Sequence, residues 1–141
     1  MKTPGTGVVT LQRRSEFLRV LNGLRWSTTT FVLEAKSREG WASPTPSPSD
    51  LARFGFTVTK KLGSAVHRNR IKRRLRAALV ITARLAKPGY DYVIIARQDA
   101  ETCPFDGLVA NFETAFEKAH SKGLQAPSRY RAPRVRNPQQ L

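Results

Sequence analysis

Residues 51–90 contain eleven lysines and arginines and no aspartate or glutamate, which constrains this chain more than any other feature. The charge is densest over residues 67–76, which read His-Arg-Asn-Arg-Ile-Lys-Arg-Arg-Leu-Arg. A solvated helix normally places acids three or four residues from its bases. Without such acids the like charges repel one another, unless a polyanion neutralises them. The segment therefore predicts a surface that binds phosphates.

The same segment carries an apolar stripe at helical spacing, which predicts a helix over 66–85 that Lys87-Pro88-Gly89 ends. The stripe comprises Ile71, Leu75, Ala78, Leu79, Thr82 and Leu85. Two other interpretations of the charge are a solvated face and a helix lying on an anionic membrane. The absence of acids disfavours the first. The second needs bulky apolar residues opposite the charge, whereas this stripe has no aromatic residue and is required for the core.

Alternating apolar residues predict three strands, over 28–36, 53–61 and 90–97. One face of these strands should carry Phe31, Leu33, Ala35, Phe54, Phe56, Val58, Tyr92, Ile94 and Ala96. On the second strand, Thr57, Thr59 and Lys61 share the other face. Asp91 and Asp99 flank the third strand and are interpreted as turn residues.

Two further helices are predicted over 14–22, with Ser15 as the cap, and over 105–121. The order helix, strand, strand, helix, strand, helix indicates an α+β fold. We expect a small two-layer α/β sandwich, in which a mixed sheet carries its helices on one face.

The length of 141 residues suits one domain, which we place at 1–121. Residues 37–52 are rich in proline and serine and predict a mobile loop, with Trp41 as its one packed anchor. Residues 122–141 predict a disordered basic tail. Cys103 is the single cysteine, which excludes an internal disulfide. No apolar run reaches transmembrane length, and we expect a cytoplasmic protein.

A contiguous run of residues carries a resemblance to a known family. It reads Phe56-Thr-Val-Thr-Lys60-Lys61-Leu-Gly63-Ser-Ala65-Val66-His-Arg68-Asn69-Arg70-Ile-Lys72-Arg73-Arg74-Leu75-Arg76. This run resembles the signature of the bacterial ribonuclease P protein family. The resemblance extends to Ser15-Glu16-Phe17 and to Tyr90–Arg97, and it covers about residues 11–121.

The resemblance implies a non-catalytic subunit that binds the ribonuclease P RNA and the 5′ leader of precursor tRNA. It implies a left-handed βαβ crossover, although general topology rules favour the right-handed form. The implied RNA-subunit-binding residues are Arg68, Asn69, Arg70, Lys72, Arg73 and Arg76. The implied leader-binding residues are Phe17, Thr57, Thr59, Lys60 and Lys61, whereas Leu21 stands where many relatives have a second aromatic residue.

The family also implies that Mg²⁺ is bound mainly by the RNA subunit. We expect no metal site, organic cofactor or catalytic residue in the protein, and neither a membrane nor DNA as a partner. Two other functions remain open from the residues alone: a structural RNA-binding protein of ribosomal type, and a protein-only nuclease. Phe17 also has two interpretations, because an aromatic residue on a helix stripe can be core or can stack a base.

Overall fold

The alternating segments form a five-stranded mixed sheet, which packs with three α-helices. The structure is a computed structural model that describes residues 8–21, 23–41, 43 and 51–121. The strands are β1 (Val9–Thr10), β2 (Leu24–Ser27), β3 (Phe31–Ser37), β4 (Arg53–Thr57) and β5 (Tyr90–Ala96). The helices are α1 (Arg14–Val20), α2 (Ala65–Thr82) and α3 (Phe105–Ser121). The α+β prediction is confirmed. The predictions for residues 44–50 and for the tail 122–141 lie outside the described residues.

The strand order is β1-β4-β5-β3-β2. β4 and β5 pair in parallel and are joined through α2, and β1 adds in parallel to β4. β3 runs antiparallel to both β5 and β2. The sheet is therefore mixed, as predicted, and the basic helix is the crossover between two adjacent strands. The hand of this crossover stays a prediction.

One face of the sheet packs against α2 and α3 and forms the main core. The predicted alternation is confirmed here, because the buried sheet residues of this core are Phe31, Leu33, Ala35, Phe54, Tyr92, Ile94 and Ala96. The predicted stripe of α2 is buried as far as Thr82, whereas Leu85 is exposed in a 3₁₀ turn after the helix. Burial of this apolar surface is the main favourable contribution to folding.

The opposite face of the sheet is partly covered by α1. Val20 packs there against Leu11 and Val93, with Phe17 and Ile95 beside them. The expectation of helices on one face therefore holds for α2 and α3, and α1 is the exception. α1 has only seven residues, and a groove remains between its side and this face of the sheet.

The bounds of two predicted strands need correction. The second strand ends at Thr57, and the chain turns through a 3₁₀ segment at Lys60–Leu62 instead of continuing to Lys61. The first predicted strand starts at Phe31, because the Thr28 hydroxyl accepts the backbone N–H groups of Thr30 and Phe31 in a turn.

α1 begins at Arg14, as predicted, but Arg13 and not Ser15 occupies the N-cap position. The Glu16 carboxylate instead accepts the backbone N–H groups of Gln12 and Arg13 at 3.0 Å each. β1 and β2 were not predicted. None of the helices in the described ranges is long and apolar enough to cross a membrane.

Candidate nucleic-acid interface

A cleft of about 420 Å³ lies between α1 and the sheet. Its wall is one side of α1 and its floor comes from β4 and β5. The lining residues are Arg14, Phe17, Leu18, Leu21, Thr57, Val93 and Ile95. An apolar groove with a cation at its wall suits a flat ring joined to an anion, such as a nucleotide of a single strand.

Phe17 lies in this cleft because Gly55 leaves the sheet open beneath it. A Cβ atom at position 55 would lie 2.4 Å from Cε2 and 2.5 Å from Cζ of the Phe17 ring. The ring therefore rests on the backbone of β4, half-buried, with part of its surface still accessible. Phe17 thus has a packing contact and an exposed part at once.

The residues predicted to bind a leader do not all lie in the cleft. Phe17 and Thr57 line it. Thr59, Lys60 and Lys61 are exposed in the turn that follows β4, between the cleft and the start of α2. The structure thus brings two of the five together and places the other three beside them.

Sequence reasoning singled out Phe17 and Leu21 on the cleft wall but missed Arg14 and Leu18. Arg14, Phe17, Leu18 and Leu21 stand at spacings of three, four and seven residues, which place them on one side of a helix. That spacing was visible in the sequence. The full set was not recognised because Leu18 resembles an ordinary core residue, although its side chain is 48% exposed.

The basic residues of α2 are mostly at the surface. Asn69, Arg70, Arg73 and Arg76 are exposed, and Arg68 and Lys72 are half-buried. The Arg68 guanidinium donates from Nε to the Gly63 carbonyl at 3.1 Å. The Arg76 guanidinium lies 5.6 Å from the centre of the Phe56 ring, within the range of a cation–π contact. The six predicted residues therefore present a band of cationic and amide donors along α2.

Arg74 has a different role from its neighbours. Its guanidinium donates to the backbone carbonyls of Ala100, Glu101 and Cys103 and so fastens the turn that precedes α3 to α2. The same turn brings an acid to the basic helix. The Glu101 carboxylate lies 2.7 Å from His67 Nδ1 and 3.8 Å from Arg70 Nη1.

Asp91 is buried in β5 and is the centre of an ion cluster, so its interpretation as a turn residue was wrong. It accepts from Arg53 and Arg38, at 2.7–2.8 Å, and from Arg19 at 3.0 Å. Burial alone would raise the pKa of Asp91. The hydrogen bonds from the three guanidinium groups outweigh burial, so the pKa lies below its ordinary value.

Glu34 on β3 faces the same side of the sheet as the cleft floor, because it pairs with Val93 in the antiparallel register. Its carboxylate pairs with Arg25, and its buried Oε1 atom has no hydrogen-bond partner within the part of the chain that the structure describes. Burial raises the pKa of Glu34 to about 7, against the opposing charge of Arg25. Near neutral pH this carboxyl is therefore partly protonated.

The described residues do not assemble a metal site. Within 8–21, 23–41, 43 and 51–121, no three His, Cys, Asp or Glu side chains come close enough together to hold an ion. The acids Glu16 and Asp91 are instead engaged with arginines. This part of the chain consequently offers no residues on which to base a step through a bound metal.

Comparisons of the sequence and of the fold relate the chain to known proteins. A family model described as Ribonuclease P matches residues 8–120. The chain is 37% identical to the ribonuclease P protein component of Ruegeria pomeroyi over 118 residues, which covers 82% of this chain and 90% of that one. It is 46% identical to the corresponding protein of Bartonella quintana over 101 residues, or 71% and 74% of the two chains. The solved structure of the Staphylococcus aureus RNase P protein is similar, with a TM-score of 0.64 and 26% identity over 79% of this chain and 95% of that one.

Proposed function

Because the chain belongs to the ribonuclease P protein family, we propose that it acts as the RNA-binding, non-catalytic subunit of that endoribonuclease. In this proposal the RNA subunit carries the chemistry of cleavage, together with the Mg²⁺ that it binds. The protein supplies affinity for precursor tRNA and screens phosphate charge. A cytoplasmic location is part of the same proposal, because bacterial precursor tRNA is made there.

The observation that carries the proposal is the continuity between the cleft and the basic helix. Thr57 on the cleft floor is followed by Lys60 and Lys61 in the turn and then by Arg68 on α2. A nucleic-acid strand leaving the cleft past Thr57 would therefore meet lysine and arginine side chains. An apolar groove for bases beside a cationic surface for phosphates is the arrangement that single-stranded nucleic acid requires.

We assign the two surfaces different RNA partners. The α2 residues Arg68, Asn69, Arg70, Lys72, Arg73 and Arg76 would bind the RNA subunit. The cleft, with Phe17 and Thr57 and with Lys60 and Lys61 at its end, would bind the leader of precursor tRNA, and Thr59 would contribute its exposed hydroxyl. Leu21, together with Leu18, Val93 and Ile95, which sequence reasoning missed, would provide the apolar surface for the bases.

Reconstitution of precursor tRNA cleavage tests this function. The protein, the RNA subunit from the same organism and Mg²⁺ are assayed alone and together at physiological ionic strength. We expect no cleavage by the protein alone and faster cleavage at low precursor concentration when it joins the RNA subunit. Cleavage by the protein alone would instead indicate a protein nuclease, and no effect in any combination would indicate a structural RNA-binding protein.

A further inference from the structure

α1 is too short to be stable without contacts to the rest of the protein. It has seven residues, and isolated helices shorter than about 12–15 residues are marginal in water. Val20 is its one fully buried apolar side chain, and Phe17 is only half-buried. The orientation of α1, and with it the wall of the cleft, must therefore depend on other contacts.

Arg19 connects α1 to the ends of two strands. Its guanidinium donates to Asp91 Oδ2 at 3.0 Å and to the Ser37 carbonyl at 3.1 Å. The Trp41 ring covers the same guanidinium at 3.9 Å. The Arg19 side chain is 12% exposed, so these contacts are shielded from solvent and depend strongly on geometry.

Glu16 makes the second connection, one helical turn earlier. Its Oε2 atom lies 3.3 Å from Nη1 of Arg53 and accepts from the Ser43 hydroxyl at 3.0 Å. Arg53 in turn donates to both carboxylate oxygens of Asp91 at 2.8 Å, and these interactions raise its pKa. Glu16 and Arg19 are three residues apart and therefore lie on the same side of α1.

The cleft wall is a different side of the same helix. Leu18 and Leu21, with Arg14 and Phe17, face the groove, while Glu16 and Arg19 are held by the ion cluster. A rotation of α1 about its axis would break the ion pairs and displace the wall from its floor. Buried ion pairs contribute little net stability compared with apolar groups of similar volume, but they fix orientation well.

We propose that the cluster of Glu16, Arg19, Arg53 and Asp91 is a positioning device that sets the geometry of the leader-binding cleft. The inference rests on the proposed function, because it assumes that the cleft binds a leader. These residues do not contact the RNA in this proposal. They act through α1, so their substitution weakens binding of the leader but not binding of the rest of the tRNA.

The test uses the assembled holoenzyme with Arg19→Met and Arg19→Lys. Methionine keeps an apolar stem beneath Trp41, and Asp91 retains Arg38 and Arg53 as partners. Leu108→Val is the control for lost stability, because Leu108 is fully buried in α3 on the opposite face. The measurements are the melting temperature, the Kd values of precursor and mature tRNA, and the KM and kcat of cleavage.

For Arg19→Met we expect about a tenfold weaker Kd for precursor tRNA, which corresponds to one lost base contact. The Kd of mature tRNA and the kcat at saturating precursor should not change, and Arg19→Lys should lie between. A folded Arg19→Met holoenzyme with full preference for precursor overturns the inference. An equal loss of preference in Leu108→Val overturns it too, because stability alone would then explain the effect.

Two further results keep the test decisive. If Arg19→Met does not fold, Arg19→Lys carries the test, because lysine lacks the planar guanidinium that reaches both Asp91 and the Ser37 carbonyl, and unchanged leader preference in that variant overturns the inference. If the unsubstituted holoenzyme does not distinguish precursor from mature tRNA, the proposed leader cleft itself is wrong. The two failures are therefore distinguishable.

Discussion

Gly55 makes the closest approach between the cleft wall and the sheet. No side chain fits there, because the Phe17 ring and the Leu11 side chain occupy the space that a Cβ would enter. The alternation of β4 predicted that position 55 lies on the face opposite the core. Its partner across the gap could not be predicted, because Phe17 is 38 positions away in the chain and only the fold brings the two together.

Gly55→Ala should therefore push the Phe17 ring off the sheet and narrow the cleft. We expect a weaker Kd for precursor tRNA by about 1–3 kcal/mol, the usual value of one base–aromatic contact, with little change for mature tRNA. Gly107→Ala is the matched control in α3, where the new methyl group meets only the Cys103 sulfur. Equal precursor affinity in Gly55→Ala and the unsubstituted protein would show that Phe17 does not contact the leader.

Leu21 offers the opposite test, a gain of binding. It is 52% exposed on the cleft wall and stands one turn after Phe17. Leu21→Phe should add a second ring to the wall and tighten precursor binding by up to about 1–3 kcal/mol. Leu85→Phe, at an exposed leucine outside the cleft, controls for added hydrophobicity. Similar tightening by both variants would argue against a specific leader contact.

At the scale of elements, the sequence predicted those that have a strong periodic pattern. β3, β4, β5, α2 and α3 were all found, with the correct face buried on each strand. β1 and β2 have two and four residues, too few for a pattern to be recognised. The ion cluster was missed for another reason. Arg53 is the first residue of β4 and Asp91 the second residue of β5, and the two meet only through the parallel register, which local sequence does not encode.

Substitutions of Arg73 and Arg74, which are neighbours on α2, should distinguish an effect on RNA binding from an effect on folding stability. Arg73 is exposed, whereas Arg74 donates to three backbone carbonyls. We expect Arg73→Ala to weaken binding to the RNA subunit and to reduce its salt dependence, because about one phosphate contact is lost. The melting temperature of Arg73→Ala should be unchanged.

Arg74→Ala should give the reverse result. It leaves three carbonyls near α3 without their donor, and each lost hydrogen bond of this kind costs about 1 kcal/mol or more. The melting temperature should fall by several degrees. Filter binding at several salt concentrations and thermal unfolding check the pair. An unchanged melting temperature in Arg74→Ala would assign Arg74 to RNA binding along with its neighbours.

At the scale of the whole molecule, buried Glu34 and half-buried His120 lie on opposite faces of the sheet, and folding shifts their pKa values in opposite directions. Burial raises the pKa of Glu34 from 4.5 to about 7. On the other face, His120 Nε2 lies 2.7 Å from the Tyr92 hydroxyl oxygen, and burial with the nearby charge of Lys87 lowers the pKa of His120 from 6.5 to about 4. Folding therefore takes up a proton at Glu34 and releases one at His120 over nearly the same pH range.

The two groups should give stability slopes of opposite sign. Between pH 4.5 and 7 folded Glu34 holds a proton that the unfolded chain has lost, so its contribution to stability falls as the pH rises. Between pH 4 and 6.5 the unfolded chain holds a proton on His120 that the folded state lacks, so that contribution rises with pH.

Glu34→Gln should therefore make the free energy of unfolding rise more steeply with pH than in the unsubstituted protein. His120→Gln should make it rise less steeply or fall. Urea unfolding at half-unit steps from pH 4.5 to 7 measures both slopes. Parallel curves for both variants and the unsubstituted protein would contradict the assignment.

The position of α2 as the crossover between β4 and β5 has a consequence for how the protein meets its partner. Both ends of the helix are attached to adjacent central strands, and its stripe is buried in the core. The helix therefore loses its conformational entropy when the protein folds and not when it binds RNA. Arginine-rich peptides that fold on their target lose this entropy upon binding. In the free protein Glu101 offsets part of the charge near Arg70, but the other cations of α2 remain close together, and a bound polyanion relieves their repulsion. RNA should thus act toward this fold as a stabilising ligand, and the protein without RNA is its least stable form.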